Sequence, residues 1–381
     1  MTLAFVTRFD VHDRQVRSGV PYSIFHALER GGHQVVWVWP EYNLGERICW
    51  TLFRAARKIC RLFRYEIPEL NPWMARIQSA AVDRKLASLS GIDAVVGTNF
   101  DEFAFIQTKL PVFVRTDTIF PSTVGYTHTP PKRYIRWHGR CERLALENIT
   151  GVFAASQWMV DEACKYYPKA IADKFVFVPT GANLDDAMIE YRPRDYAPGR
   201  SLNMLFAGYD IRKKGISYAW EAMRALNDRY RQPAVLTVLG GRPSDDMLRD
   251  SDVHYIGILD KNRPDEYARF YQQFRDADLF IFPTRAEYHG IVNCEAAAYG
   301  LPIFATRTGG VPSYARDGIN GRILPLSAPG ADFAEVIWQA LNNGTMQRFS
   351  RASRQLYESE FNWDAWVRTV SPIIRQHIQR Q

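Results

Sequence analysis

Short apolar runs recur along the whole chain, and amphipathic segments separate them. The runs are "LAFVT", "QVVWVW", "DAVVGT", "PVFVRT", "GVFAAS" and "FVFVPT", then "LNMLFAG", "AVLTVLG", "VHYIG", "DLFIFPT" and "PIFAT". Between them lie segments such as "PYSIFHALERGG" and "ISYAWEAMRALNDRY". A strand that is apolar throughout needs cover on both faces, which parallel sheets with helical crossovers provide. The expected fold class is therefore α/β, with doubly wound parallel sheets. The alternation pauses once, at the polar "DDAMIEYRPRDYAPGR" of residues 185–200. The chain of 381 residues suits two domains of roughly 100–200 residues each. Residues 1–185 and 201–360 are expected as two Rossmann-like domains, 186–200 as the linker, and 361–381 as a closing helical piece. Ligands bind beyond the carboxyl ends of parallel strands, so the two sheets are expected to face a shared interdomain cleft.

Composition narrows the class. With 46% hydrophobic residues the chain can build full cores, which argues against disorder. Its five cysteines are scattered without CxxC pairing, against a disulfide framework or a structural zinc site. "MTLAFVTRFD" reads as a first strand rather than a signal peptide, and no run reaches the ~18 apolar residues of a membrane span. A cytoplasmic location is expected. The net charge of +7 suggests polyanionic partners: nucleotide phosphates, an acidic membrane surface or nucleic acid. No nucleic acid partner is expected.

The segment "EYHGIVNCEAAAYGLPIF" (287–304) concentrates the chemistry. It follows the strand "DLFIFPT", so Glu287 falls at a strand's carboxyl end and Gly290 opens a helix that Gly300 closes. The N–H groups of Gly290, Ile291 and Val292 then suit a phosphate or sugar hydroxyls. Glu295 lies inside this apolar helix and must be paired, because an unpaired buried carboxylate costs several kcal/mol. Its partner is either a ribose diol or an arginine of the fold, unless this edge of the helix is more exposed than its apolar neighbours imply. A second constellation is "MLFAGYDIRKKGISYAW" (204–220): strand, Gly208, then Arg212, Lys213 and Lys214 before a helix. Three cations there make a diphosphate site, with a solvated basic turn as the plain alternative.

Weaker signals remain. Gly19 in "RSGVPY" allows close backbone approach to a ligand, while the dinucleotide fingerprint GxGxxG is absent. Asp117 ends the strand "PVFVRT", and Asp101 and Glu102 follow "DAVVGT"; each reads more simply as structural. "DAD" (276–278) has D-x-D spacing but leads straight into a strand, and no residue set has metal-ligand spacing. Residues 48–67 form a basic amphipathic helix with Trp50 and Phe53 near its start. Its apolar positions are 49, 52, 53, 56, 59, 60 and 63, against Arg54, Arg57, Lys58, Arg61 and Arg64. It either rests on an anionic membrane or packs on its own domain with a solvated basic face. A second basic cluster, "PKRYIRWHGRCER" (131–143), either holds an acceptor phosphate or is solvated.

Residues 280–324 resemble the signature region of retaining GT-B glycosyltransferases of family 4, the glycosyltransferase group 1 type. Glu287 and Glu295 have the family's Glu, seven residues, Glu spacing, with Gly290, Ala296, Ala298, Gly300 and Pro302 in place. "FAGYDIRKKG", "VLGG", "FVPTGANLD" and "RSGVPY" extend the likeness over roughly 1–370. The resemblance implies a GT-B fold and a final helix, from about Trp363, crossing back to the N-terminal domain. It implies that Lys214, with Arg212 or Lys213, holds the donor diphosphate. Glu287 would contact the transferred sugar, Glu295 would bind the ribose hydroxyls, and His289 would lie near the sugar. Two departures stand out: Tyr209 replaces the arginine usual after Gly208, and Asp117 stands where the family has a histidine.

The implied reaction moves a sugar from a nucleotide-diphosphate sugar to an acceptor hydroxyl with retention, without metal or other cofactor. No nucleophile is placed on the opposite sugar face, so a front-face route is expected, closure excluding water. The alternatives are a non-catalytic GT-B subunit that scaffolds a partner transferase, and a sugar-nucleotide epimerase. Expected partners are the nucleotide sugar, a hydroxyl acceptor and, through 48–67, the inner face of a membrane.

Overall fold

The structure, a computed structural model, describes residues 1–63, 65, 67–68 and 71–380. Two parallel six-stranded sheets organise it. The first comprises β1 (Thr2–Val6), β2 (Gln34–Val38), β3 (Ala94–Gly97), β4 (Val112–Thr116), β5 (Gly151–Ala154) and β6 (Phe175–Phe177), in the order β2-β1-β3-β4-β5-β6. The second comprises β7 (Leu202–Gly208), β8 (Ala234–Gly240), β9 (Val253–Gly257), β10 (Leu279–Phe282), β11 (Ile303–Thr306) and β12 (Gly321–Leu324), in the order β12-β11-β10-β7-β8-β9. All eleven strands expected from the sequence are present. The twelfth, "GRIL", escaped because Arg322 interrupts its apolar run and it follows the turn-rich "DGING".

The strands are continuous apolar runs because both sheet faces are covered. In the second sheet Met204 and Phe206 point to one side, against Ile216, Ala222 and Leu226 of the helix Ile216–Asp228. Leu205 and Ala207 point to the other, with Phe280, Phe282 and the alanines of the helix Val292–Ala298. This two-residue alternation is the strand's own periodicity.

Two compact units result. Unit 1 holds residues Met1–Val16, Ile24–Val178 and Val367 onward; unit 2 holds Arg17–Ser23 and Pro179–Trp366. The main chain thus passes between units at Val178, ahead of the expected 185. The polar stretch 186–200, expected as the linker, is grouped with unit 2 and is held there by hydrogen bonds. Arg194 donates to the carbonyls of Ala277 (2.6 Å), Phe274, Arg275 and Tyr299, and Tyr196 donates to that of Asp278. Few apolar residues are needed where a guanidinium satisfies four carbonyls. The closing helix runs Trp363–Ile378, and from Val367 it belongs to unit 1, with His377 edge-on to Phe113.

In each sheet the connection reverses direction once, between β1 and β3 in unit 1 and between β7 and β10 in unit 2. Such switch points leave a crevice at the strands' carboxyl ends, where loops diverge.

Candidate functional site

The loop after β7 and the loop after β10 meet at the switch point of unit 2. Gly208 ends β7, and its missing side chain makes room for Lys214, whose Cγ would lie 2.8 Å from a Cβ there. Gly215 heads the next helix with φ +82°, and a Cβ on it would sit 2.1 Å from Pro283 O. Only glycine lets the basic turn press this closely on the strand end of β10. Arg285 N and Thr284 Oγ1 donate to Lys213 O, closing the contact.

The side chains meet as well. Lys214 Nζ donates to Glu287 Oε2, while Glu287 Oε1 accepts from Tyr288 N at 3.1 Å. Lys213 Nζ lies 5.4 Å from the centre of the Tyr288 ring. Burial, and after it the charge of Lys214, lower the Lys213 pKa. Arg212 is exposed, as is Tyr209. The second unit therefore brings Lys213, Lys214 and Glu287 together, with Gly208 beneath them.

Gly290 adopts φ +79° and starts the descent into the helix Val292–Ala298. The first N–H bonded back along the chain is that of Asn293, to Gly290 O at 2.9 Å; Gly290, Ile291 and Val292 precede it. Gly300 closes the helix. Its N–H bonds Ala297 O and that of Leu301 bonds Ala296 O, the paired pattern of a left-handed C-terminal cap. Inside this helix Glu295 is 5% exposed, and Lys261 Nζ lies 2.9 Å from its Oε1. Burial pushes its pKa up and Lys261 opposes that. The fold itself thus supplies a cation for Glu295, though a lysine rather than the arginine considered from sequence.

Lys261 is a site residue that sequence reading missed. It sits between β9 and the helix Pro264–Asp276 in a polar loop, where one lysine among "LDKNRPDE" carries no distinguishing signal. Its ammonium also lies 4.1 Å from the centre of the Phe270 ring. Thr180 and Tyr314 were missed too. His289 is buried and shares a hydrogen bond from Nε2 with Thr180 Oγ1, its ring edge-on to Tyr314 at 4.7 Å. These contacts fix the imidazole beside Gly290.

Gly19 also falls in unit 2, within a turn where Arg17 (φ +51°), Ser18 (φ +60°) and Gly19 (φ +85°) are all left-handed. Two non-glycine residues in that region are costly, and something must hold them. Asn183 does so: its Nδ2 donates to Ser18 O at 2.7 Å, and its Oδ1 accepts from Trp363 Nε1. Of the "DAD" acids, Asp278 is buried, accepting from Asn203 N at 2.8 Å and pairing with Arg200. That is a structural role.

The remaining candidates lie in unit 1. Asp117 follows β4 and is half-buried. Asp101 pairs with Arg8 at 3.7 Å, joining the loops after β3 and β1 at that unit's own switch point. Glu102 is 1% exposed, and among the described residues its oxygens lack a well-formed hydrogen bond, the Asn99 side chain beside it only partly offsetting burial. Burial, with Asp101 next to it, pushes its pKa up to about 8.

The site of unit 2 lies inside a segment with known relatives. Residues 189–356 match the family model described as Glycosyl transferases group 1. The D-inositol 3-phosphate glycosyltransferase of Streptomyces bingchenggensis is 29% identical over 244 residues, 57% of this chain and 52% of that protein. The chain spans about half the length of the curated relatives it matches. Among solved structures, sucrose-phosphate synthase from Thermosynechococcus elongatus has a TM-score of 0.70 at 16% identity, covering 100% of both chains. Anabaena Alr3699/HepE in complex with UDP-glucose has a TM-score of 0.64 at 13% identity, covering 99% of this chain and 100% of that one.

Two stability measurements test the electrostatics. Lys261→Met leaves Glu295 buried without its cation and should cost ~3 kcal/mol in urea unfolding near neutral pH. The cost should shrink as pH falls, since the carboxyl then protonates, and Glu295→Gln in the same background should restore most of it. For Glu102 the folded state keeps its proton above the ordinary 4.5 up to about 8, while the unfolded chain releases it. Stability attached to this group is therefore full below pH 4.5 and is lost as pH rises toward 8. Glu102→Gln should gain at least ~1 kcal/mol over the parent between pH 5 and pH 8.5.

The chain has the GT-B fold, and its residues 189–356 are similar to the Glycosyl transferases group 1 family.

Proposed function

We propose that this protein is a metal-independent retaining hexosyltransferase of the family 4 type, moving a sugar from a nucleotide-diphosphate sugar to an acceptor hydroxyl. The observation that carries the proposal is the Lys214–Glu287 pair at the unit 2 switch point, within the matched segment. A diphosphate needs concentrated positive charge, and Lys214, Lys213 and Arg212 follow one strand end. As the bond from sugar to diphosphate breaks, charge grows on the leaving phosphate. Cations already placed there stabilise that charge without reorganisation.

Glu287 has a double part in this reading. In the free protein it neutralises Lys214; with donor bound, the lysine turns to phosphate and the carboxylate faces the sugar. Glu295 takes the ribose diol while Lys261 limits the cost of burying its charge. The N–H groups of Gly290, Ile291 and Val292 serve phosphate or sugar oxygens, and Gly19 and Gly208 allow close backbone approach. His289, fixed by Thr180, shapes the sugar's surroundings. Retention follows a front-face course in which the leaving phosphate takes the acceptor hydroxyl's proton. The acceptor belongs to unit 1, where Asp117 is the candidate to meet it. Support for a nucleotide-sugar donor comes from HepE, solved with UDP-glucose.

Thermal unfolding with UDP, GDP, ADP and dTDP tests the donor site. One nucleotide at 100 times its dissociation constant should stabilise the protein by ~2.7 kcal/mol, and Glu295→Ala should remove that gain. No shift with any nucleotide would sink the reading in favour of a non-catalytic scaffold. Glu287→Gln should retain nucleotide binding and lose on the order of 100-fold or more in transfer rate.

A further inference from the structure

We propose that the helix Leu44–Leu62 is a docking surface for an anionic phospholipid bilayer, its outward apolar stripe entering the interfacial layer while Arg47, Arg54, Lys58 and Arg61 meet lipid phosphates.

The helix begins earlier and ends earlier than the 48–67 expected from sequence. Asn43 and Glu46 form a reciprocal cap at its start, and Phe63 caps its end; Arg64 lies outside the described residues. Two stripes run along it. Glu46, Trp50, Phe53, Arg57 and Cys60, spaced four, three, four and three residues apart, are buried or half-buried and form the side turned to unit 1. Leu44, Ile48, Leu52, Ile59 and Leu62 form the other, and they are between 52% and 79% exposed. A surface helix ordinarily turns its aliphatic stripe inward. Here one aromatic and a few half-buried groups anchor the helix, and the aliphatic stripe faces away. The helix does pack on its own domain with its basic residues exposed, but through Trp50 and its neighbours, which leaves the aliphatic stripe uncovered.

Charge selects the occupant. Arg47, Arg54, Lys58 and Arg61 are exposed and line one edge of the aliphatic stripe, against the single acid Glu46, which is engaged by Arg84. The basic surface continues past the helix. Arg133 donates to Tyr65 Oη and lies over the Trp137 ring at 4.3 Å, and a cavity of about 400 Å³ is lined by Lys132, Arg133, Arg136 and Trp137. Aliphatic groups edged by arginine and lysine match the depth profile of an anionic leaflet, hydrocarbon below phosphate. A second copy of this chain would bring two rows of cations together. No helix among the described residues is long and apolar enough to cross a membrane, so the contact is with the surface.

The test is flotation of the full chain with vesicles of phosphatidylcholine alone and with roughly one-third phosphatidylglycerol. The protein should bind the anionic vesicles at low salt and not the neutral ones. Arg54→Glu, Lys58→Glu and Arg61→Glu combined should weaken binding on the order of 100-fold. Leu52→Asp with Ile59→Asp should abolish binding while leaving the melting temperature and nucleotide stabilisation unchanged, since both side chains are exposed. The proposal is overturned if the parent stays unbound, or if the Leu52/Ile59 variant floats as well as the parent. It is equally overturned if light scattering shows a dimer that this variant splits, because a second copy would then be the occupant.

Discussion

A carboxylate taken out of water must meet a cation or lose its charge, and unit 2 faces that demand twice within nine residues of chain. Glu287 meets Lys214, and Glu295 meets Lys261. The two lysines come from different loops, one after β7 and one after β9, so both pairs form only when the sheet is assembled. In consequence the charges that the proposed function assigns to the donor are also charges that pair within the fold.

The sheet order explains why these loops are the ones that meet. β7 and β10 are neighbours although two strands separate them in sequence, and the helices that follow them leave from opposite faces. That divergence opens the space, and Gly215 keeps it narrow, an added Cβ there lying 2.1 Å from Pro283 O. The same logic operates in unit 1, where Arg8 and Asp101 meet across the β1–β3 switch. There, however, the neighbouring Glu102 has no cation paired with it among the described residues and is deeply buried, and its environment favours the neutral acid.

The helix Leu44–Leu62 shows how an amphipathic pattern is ambiguous about direction. Its periodicity records two faces of different polarity without recording which one touches the protein. Trp50 and its neighbours win the packing contest because an aromatic ring buries more area per residue than an aliphatic chain. The aliphatic stripe is left outside, next to a row of cations.

Much of the architecture is legible without coordinates. Continuous apolar runs alternating with amphipathic segments require parallel sheets covered on both sides, and the position of Glu287, Gly290 and Gly300 relative to "DLFIFPT" fixes a strand, turn and capped helix. The cluster of Arg212, Lys213 and Lys214 after a strand is likewise a local property. What the sequence by itself could not determine is who pairs with whom across loops. Lys261 for Glu295, Thr180 for His289 and Asn183 for Ser18 lie 34, 109 and 165 residues from their partners. Nothing in a polar loop marks such a residue, because its partner is chosen by the order of strands. The sense of the 44–62 helix and the attachment of 186–200 through Arg194 were decided in the same way. Each depends on which surface lies opposite, and only the assembled tertiary structure supplies that surface.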